Sequence, residues 1–254
     1  MFKCAALLRA SIAGLIGVLA VSCSEGSSNG GGSGPVLVQV VDHPAVGHWM
    51  GSVTADDGRQ IDCCIQVDAA IDQPTVALTY IPAGAFYSPC TVSEAGDQTI
   101  TFRFDRGKYD NVYHATLSPD GAELSGSISV PAGSKSFLES GTFRLSRIPR
   151  ATYVPGAMVF SKGMTGMVGA FTLTITVAQV DDGRWVAEVD VPEQSLNDMP
   201  LFNVTESNGV ITGSFRVMGP PNVFELTLSE DRQRLTGLWR SAGAPTQLDM
   251  PRVR

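Results

Sequence analysis

Charge is sparse in this chain, at 17% of residues, aromatics are few, at 7%, and there are only three histidines. No basic stripe runs through it. Lys3 and Arg9 precede residue 22, and from residue 23 onward 16 basic groups face 25 acidic ones, a net charge of −9. Polyphosphate backbones are held by clustered Lys and Arg, so nucleic acid is set aside as a partner. Past residue 22 no stretch approaches the roughly 20 apolar residues of a spanning helix. No segment of helical period and length stands out either. What remains, in 254 residues, is room for one large domain or two small ones.

The one concentrated apolar run lies at the start. Residues 1–9, "MFKCAALLR", carry two positive charges and no acid, and residues 10–21, "ASIAGLIGVLAV", are apolar throughout. A charged start followed by a short apolar core reads as a secretory signal over residues 1–22. The run closes on "LAVSC", with Ala20 and Ser22 leading into Cys23. This resembles the lipobox of bacterial lipoproteins, with Ala20 where that family most often has leucine. The resemblance implies cleavage before Cys23, a diacylglyceryl group on its thiol and an acylated amino group. Several acyl chains anchor a protein firmly, where one holds it only marginally. Ser24 rather than aspartate follows, which in that family's sorting rule implies the outer membrane. Residues 23–35, rich in glycine and serine, read as a lipidated, flexible tether.

After the tether, short runs rich in Val, Ile, Thr and Phe alternate with turn signals such as "ADDGRQ", "SPDGAE" and "VDDGRW". Regularly spaced short strands indicate an all-β sandwich or barrel. The chain also repeats. "IDCCIQVDAAIDQPTVALTYIP" from residue 61 aligns with "FTLTITVAQVDDGRWVAEVDVP" from 171, and "YHATLSPDGAELSGSI" from 113 with "FELTLSEDRQRLTGLW" from 224, at spacings of 110 and 111. Pro82 then matches Pro192 and Gly126 matches Gly237. Two tandem modules follow, 46–149 and 154–254, joined around "RIPRATYVP". On the first matched strand Ile61, Cys63, Ile65 and Val67 share one face, and Asp62, Cys64, Gln66 and Asp68 the other. In the second copy Phe171, Leu173, Ile175 and Val177 face inward and Thr172, Thr174 and Thr176 outward. Such alternation calls for an antiparallel sheet with one wet face. Asp120 and Gly121 supply a hairpin turn. The second copy lacks that glycine, so its turn is expected to be longer or differently built. The stretch "VDVPEQSL…F…LSEDRQRLTGLW" resembles a β-rich repeat of bacterial envelope proteins, some of which carry it ahead of a serine hydrolase. That resemblance implies a small lipocalin-like barrel and brings no catalytic residue with it.

Sites of chemistry are scarce. Gly26-Ser27-Ser28-Asn29-Gly30 matches G-x-S-x-G, but a nucleophile elbow needs a strand before it and a helix after it. Here the pattern sits in the tether. His43 and His48 straddle a proline with no cysteine or carboxylate cluster beside them, and His114 lies on a predicted strand; half-exposed strand histidines are the expectation. Cys63, Cys64 and Cys90 sit in an oxidising compartment, so one disulfide is expected, Cys90 with Cys63 or with Cys64, the third thiol staying free and buried. Met158, Met164 and Met167, set among glycines, read as packing first, a mobile lip over an apolar cavity second, and a copper site third. Asp56/Asp57 and Asp181/Asp182 read as turn residues. No catalytic residue, metal site or cofactor is expected. The sequence therefore describes an all-β, lipid-anchored envelope protein that is not an enzyme. It holds the membrane through Cys23 and binds an apolar small ligand, with a structural adaptor for an envelope protein as the alternative and an accessory protein of an envelope hydrolase system as the second alternative.

Overall fold

The computed structural model describes residues 43–80, 85–106, 109–134, 140–166, 169–194, 196–215, 221–241 and 243–254. The signal, Cys23, the tether with its G-x-S-x-G pattern, and Met167 lie outside the described residues. Apart from short 3-10 turns at Ala151–Tyr153 and Pro192–Gln194, the regular structure described is all strand.

Eight strands come first: β1 (Gly47–Ala55), β2 (Gln60–Asp68), β3 (Thr75–Tyr80), β4 (Ala85–Ala95), β5 (Thr99–Arg106), β6 (Tyr109–Leu117), β7 (Glu123–Ser129) and β8 (Ser140–Arg147). Each pairs antiparallel with the next, and β8 returns to β1 to close a barrel. Alternation along the strands decides which side chains fill it. Cys63, Ile65 and Val67 point inward with Trp49 and Val53, as the sequence pattern requires. The interior is solid. Trp49, Phe102, Phe104, Tyr113, Ile65 and Leu78 are all exposed by no more than 1%, and the Phe102 and Tyr113 rings stack at 4.8 Å. Arg147 seals one end, its guanidinium 4.5 Å from the Trp49 ring while it donates to the carbonyls of Gly121, Val46 and Pro44 at 3.0, 2.9 and 2.7 Å.

Nine more strands follow: β9 (Met158–Gly166), β10 (Gly169–Gln179), β11 (Trp185–Val191), β12 (Leu196–Pro200), β13 (Phe202–Ser207), β14 (Val210–Phe215), β15 (Asn222–Leu228), β16 (Arg234–Arg240) and β17 (Thr246–Pro251). They form two sheets, β12-β11-β10-β9 and β13 through β17, rather than one closed barrel. Yet β9 lies 111 residues after β1, and the shifted register at Leu78/Tyr80 recurs at Val189/Val191. The counterpart of β4 is interrupted at Leu201. Just beyond, Asn203 adopts a left-handed φ of 54°, and the pairing of β13 with β14 shifts register between Phe202 and Thr205. The sheets meet at two seams. At one, the Leu201 amide donates to the Ala187 carbonyl at 2.9 Å. At the other a single bridge, Phe160 with Arg252, stands where the barrel pairs Trp49 with Arg147. One apolar core fills the space between them, with Phe160, Leu173, Ile175, Phe224 and Leu226 fully buried.

Two expectations are corrected here. The turn after β15 is not rebuilt for want of glycine. Gly121 sits at φ 69° and Arg232, 111 residues on, at φ 57°. The Ser118 hydroxyl donates to Asp120 and the Glu123 amide to Ser118; Ser229, Asp231 and Arg234 repeat both bonds. The outer face of the matched strands is also not uniformly wet, because Cys64, Thr176 and Glu188 are buried on it. The connection around the first 3-10 turn covers part of that face, packing Ala151 and Val154 against Ala178 and Val186.

Candidate functional site

Alternation on β1 places Trp49 inside the barrel and His48 and Met50 outside. On β2 it places Cys63 inside and Cys64 outside, directly opposite Met50. Tyr87, on β4, holds a left-handed φ of 42° and its amide donates to the Thr79 hydroxyl at 3.0 Å. Asp198 repeats this device 111 residues later at φ 55°, its amide donating to the Asp190 carboxylate. Non-glycine residues in this region are uncommon and mark bulges that re-aim side chains. Both re-aimed side chains meet Arg150 from the connection. Its guanidinium lies 4.8 Å from the Tyr87 ring centre, 2.8 Å from the Asp198 carboxylate and 3.1 Å from that of Glu188.

His48 is the hub on the barrel side. Its Nδ1–H donates to the Ile148 carbonyl at 2.8 Å, which leaves Nε2 as the acceptor. Nε2 faces the Cys64 thiol at 2.7 Å and the Tyr87 hydroxyl at 3.0 Å. Burial pushes the His48 pKa down to about 4 against the support of the Ile148 bond, and Arg150 lowers it further. Burial likewise pushes the Cys64 thiol and the Tyr87 hydroxyl up. The thiol and imidazole are therefore a neutral pair near neutral pH. Glu188 is also raised by burial, and the adjacent Arg150 opposes that shift without cancelling it. Cys64 is fully buried, so no substrate reaches it directly as a nucleophile.

Beside this network a cleft of about 360 Å³ separates the barrel wall from the second group of strands. His48, Met50, Ile148, Ala187 and Phe202 give it a largely apolar floor, and Asp62, Arg144, Arg184 and Asn203 a polar rim. The rim arginines are held by carboxylates, Arg144 by Glu123 at 2.5 Å and Arg184 by Asp182 at 2.6 Å.

The other residues singled out from the sequence fall elsewhere. Cys63 and Cys90 both pack against the barrel interior, whereas Cys64 lies on the opposite face, and all three thiols are free. Burial raises Cys63, with the neighbouring thiols adding to it, and raises Cys90 to about 12. The expectation of half-exposed histidines holds for neither His43 nor His48: both are buried, and His43 is tied to the Gly96 carbonyl and the Ala45 amide. His48 also has a cysteine beside it after all. His114 is exposed near the Thr101 hydroxyl. Met158 is core and Met164 packs against it. Asp57 and Asp182 are turn residues that bind the amide two positions on. Among the described residues no group of three His, Cys, Asp or Glu side chains is placed to hold a metal ion.

Tyr87, Arg150 and Glu188 were missed. Glu188 carried a signal, a carboxylate in the middle of an apolar strand; Tyr87 and Arg150 carried none. Compared with protein-family models, curated proteins and solved structures, the chain matches none.

Proposed function

We propose that this chain is a non-catalytic, lipid-anchored binding protein of the bacterial cell envelope. In this reading it consists of two tandem lipocalin-like modules, 46–149 and 154–254, carried at the outer membrane by lipid on Cys23. Its ligand lodges in the cleft between the modules and not inside a barrel. The observation that carries this reading is the contrast between a barrel interior whose largest side chains, Trp49, Phe102, Phe104 and Tyr113, are exposed by 1% or less and an open cleft of about 360 Å³. That volume lies in the range of small-molecule sites, and an apolar floor with a few polar groups at the rim is their usual lining. The fitting ligand is a small amphiphile, its apolar body on Ile148 and Phe202 and its polar end toward Arg144, Arg184 and Asp62.

Anilinonaphthalene sulfonate, an anionic amphiphile that fluoresces in apolar sites, tests this. Saturable binding is expected, lost in Ser52→Trp, which fills the cleft from the outer face of β1. Binding unchanged by that substitution, at an unchanged melting temperature, would place the ligand elsewhere. A second reading, an adaptor for a protein partner, is favoured by the seam between β9 and β17. There one bridge, flanked by the Val159–Arg254 and Val253–Val159 backbone bonds, stands where the barrel has seven paired positions. The ladder between these two edge strands is therefore short, and its remainder is where an extended peptide would add. Crosslinking from Gly163 in intact envelopes tests the adaptor, and absence of any stable protein neighbour counts against it.

A further inference from the structure

The outer face of β1 and β2 gathers soft donors whose metal-binding chemistry neither reading uses. Cys64 Sγ lies 2.7 Å from His48 Nε2, and Met50 is the direct cross-strand partner of Cys64 on the same face. Directly opposed side chains have Cβ atoms about 5 Å apart, within reach of a shared ion. The Tyr87 hydroxyl completes the group, 3.0 Å from Nε2 and 3.9 Å from Sγ. A thiolate, an imidazole and a thioether together select soft metals, Cu(I) above all. The Nδ1–H bond to the Ile148 carbonyl is the outer-shell contact a metal-binding imidazole needs, because it fixes the tautomer that presents Nε2.

We propose that Cys64, His48 and Met50 form a binding site for one Cu(I) ion. Bonds of ordinary length from one ion hold Sγ and Nε2 farther apart than 2.7 Å. His48 and Met50 both line the cleft and Cys64 lies fully buried behind them, so the ion enters from the cleft as these two side chains part, and the same movement makes that room. On binding, the Cys64 S–H bond breaks, an S–Cu bond forms, and the proton leaves through the cleft to solvent; the copper stays Cu(I) throughout. One positive charge replaces another, so the buried site gains no net charge. A divalent ion would add one beside the Arg150 guanidinium, already 4.8 Å from the Tyr87 ring. Tyr87 acts as an outer-shell donor to the thiolate. The site involves neither the methionines of β9 nor the barrel-facing thiols.

Full-length protein in detergent, titrated anaerobically with the Cu(I)–bicinchoninate complex, tests the assignment. Wild type is expected to withdraw one ion per chain. Cys64→Ser loses that transfer, Met50→Leu weakens it by roughly tenfold or more, and Tyr87→Phe by roughly tenfold, as removal of an outer-shell partner does. Cys63→Ser and Met164→Leu leave it unchanged. Wild type that withdraws no copper, or Cys64→Ser that withdraws as much as wild type, overturns the proposal. X-ray absorption at the copper edge needs no variant. A mixed sulfur and nitrogen shell is expected, and a shell of sulfur alone, or of nitrogen and oxygen alone, overturns it.

Discussion

Cys63 and Cys64 are neighbours in the chain and belong to different cores. One step along β2 turns a side chain from the barrel interior to its outer wall, so Cys63 packs with Trp49 and Ile65, and Cys64 with the second group of strands. That split was legible in the alternation of Ile61 to Asp68. Burial of the outer side was not, because it depends on Ile148 and Arg150 folding back over positions some 60 to 100 residues earlier, which no local pattern encodes. The same covering gives His48 a measurable signature. An unfolded imidazole takes up its proton near pH 6.5, while the folded one resists until about pH 4. Protonation therefore favours the unfolded chain, and the stability present above pH 6.5 is lost as pH falls toward about 4. The loss is roughly 3 kcal/mol at about 1.4 kcal/mol per unit. Glu188 and Asp190, both raised by burial, act in the opposite sense, so the contribution has to be isolated by difference. Urea unfolding of wild type and His48→Gln at intervals across this window is expected to show the steeper decline in wild type. Parallel curves would mean that His48 is not the group responsible.

At the scale of elements, the 110 to 111 spacing read from the sequence reappears as paired register. Ala115 faces Gly126, and Leu226 faces Gly237, in the two copies of one hairpin. The glycines match because both backbones are approached alike. A Cβ would stand 1.8 Å from the His114 carbonyl oxygen at Gly126 and 1.9 Å from that of Glu225 at Gly237. Gly126→Ala and Gly237→Ala are each expected to cost about 3 kcal/mol, since the obstacle is backbone and cannot move aside. The turn between these strands keeps its Ser and Asp bonds in both copies and differs in backbone demand at its left-handed residue. Arg232 bears the strain that Gly121 avoids, so Arg232→Gly raises the melting temperature while Gly121→Ala lowers it, each by the equivalent of about 1 kcal/mol. A melting temperature that falls in Arg232→Gly would show that its side chain contributes more than its backbone costs. Sequence reading misjudged this turn because it counted glycine as the requirement. The Ser and Asp side-chain bonds, present in both "LSPDG" and "LSEDR", hold the loop shape with either residue. The interruption at Leu201 had no such cue, because Asn203 is as much at home in an exposed strand end as in a kink.

Across the whole molecule, the barrel and the second group of strands share the apolar contacts of Met50 and Cys64 and a cluster of polar contacts around one cation. Arg150 is 10% exposed and its partner Glu188 only 1%, so the pair is shielded from solvent on both sides. Removing one member of such a pair strands the other, at a cost of about 3–5 kcal/mol, well above that of a surface ion pair. Arg150 also reaches Asp198 and the Tyr87 ring, the two left-handed positions that correspond across the repeat, so its loss loosens both strand groups together. Surface pairs such as Arg59 with Asp57 offer a contrast, being half-exposed on both sides. Arg150→Ala is therefore expected to lower stability by several times the effect of Arg59→Ala. It should also divide a single thermal transition into two, the barrel melting apart from the β9–β17 strands, because the barrel keeps its own packed interior and its Arg147 seal. Arg150→Ala with Glu188→Gln removes the stranded charge and should recover most of the lost stability. If the double variant is as unstable as the single one, the coupling resides in the apolar contacts of Met50 and Cys64 and not in the ion pair. Differential scanning calorimetry of the three proteins at neutral pH separates these outcomes.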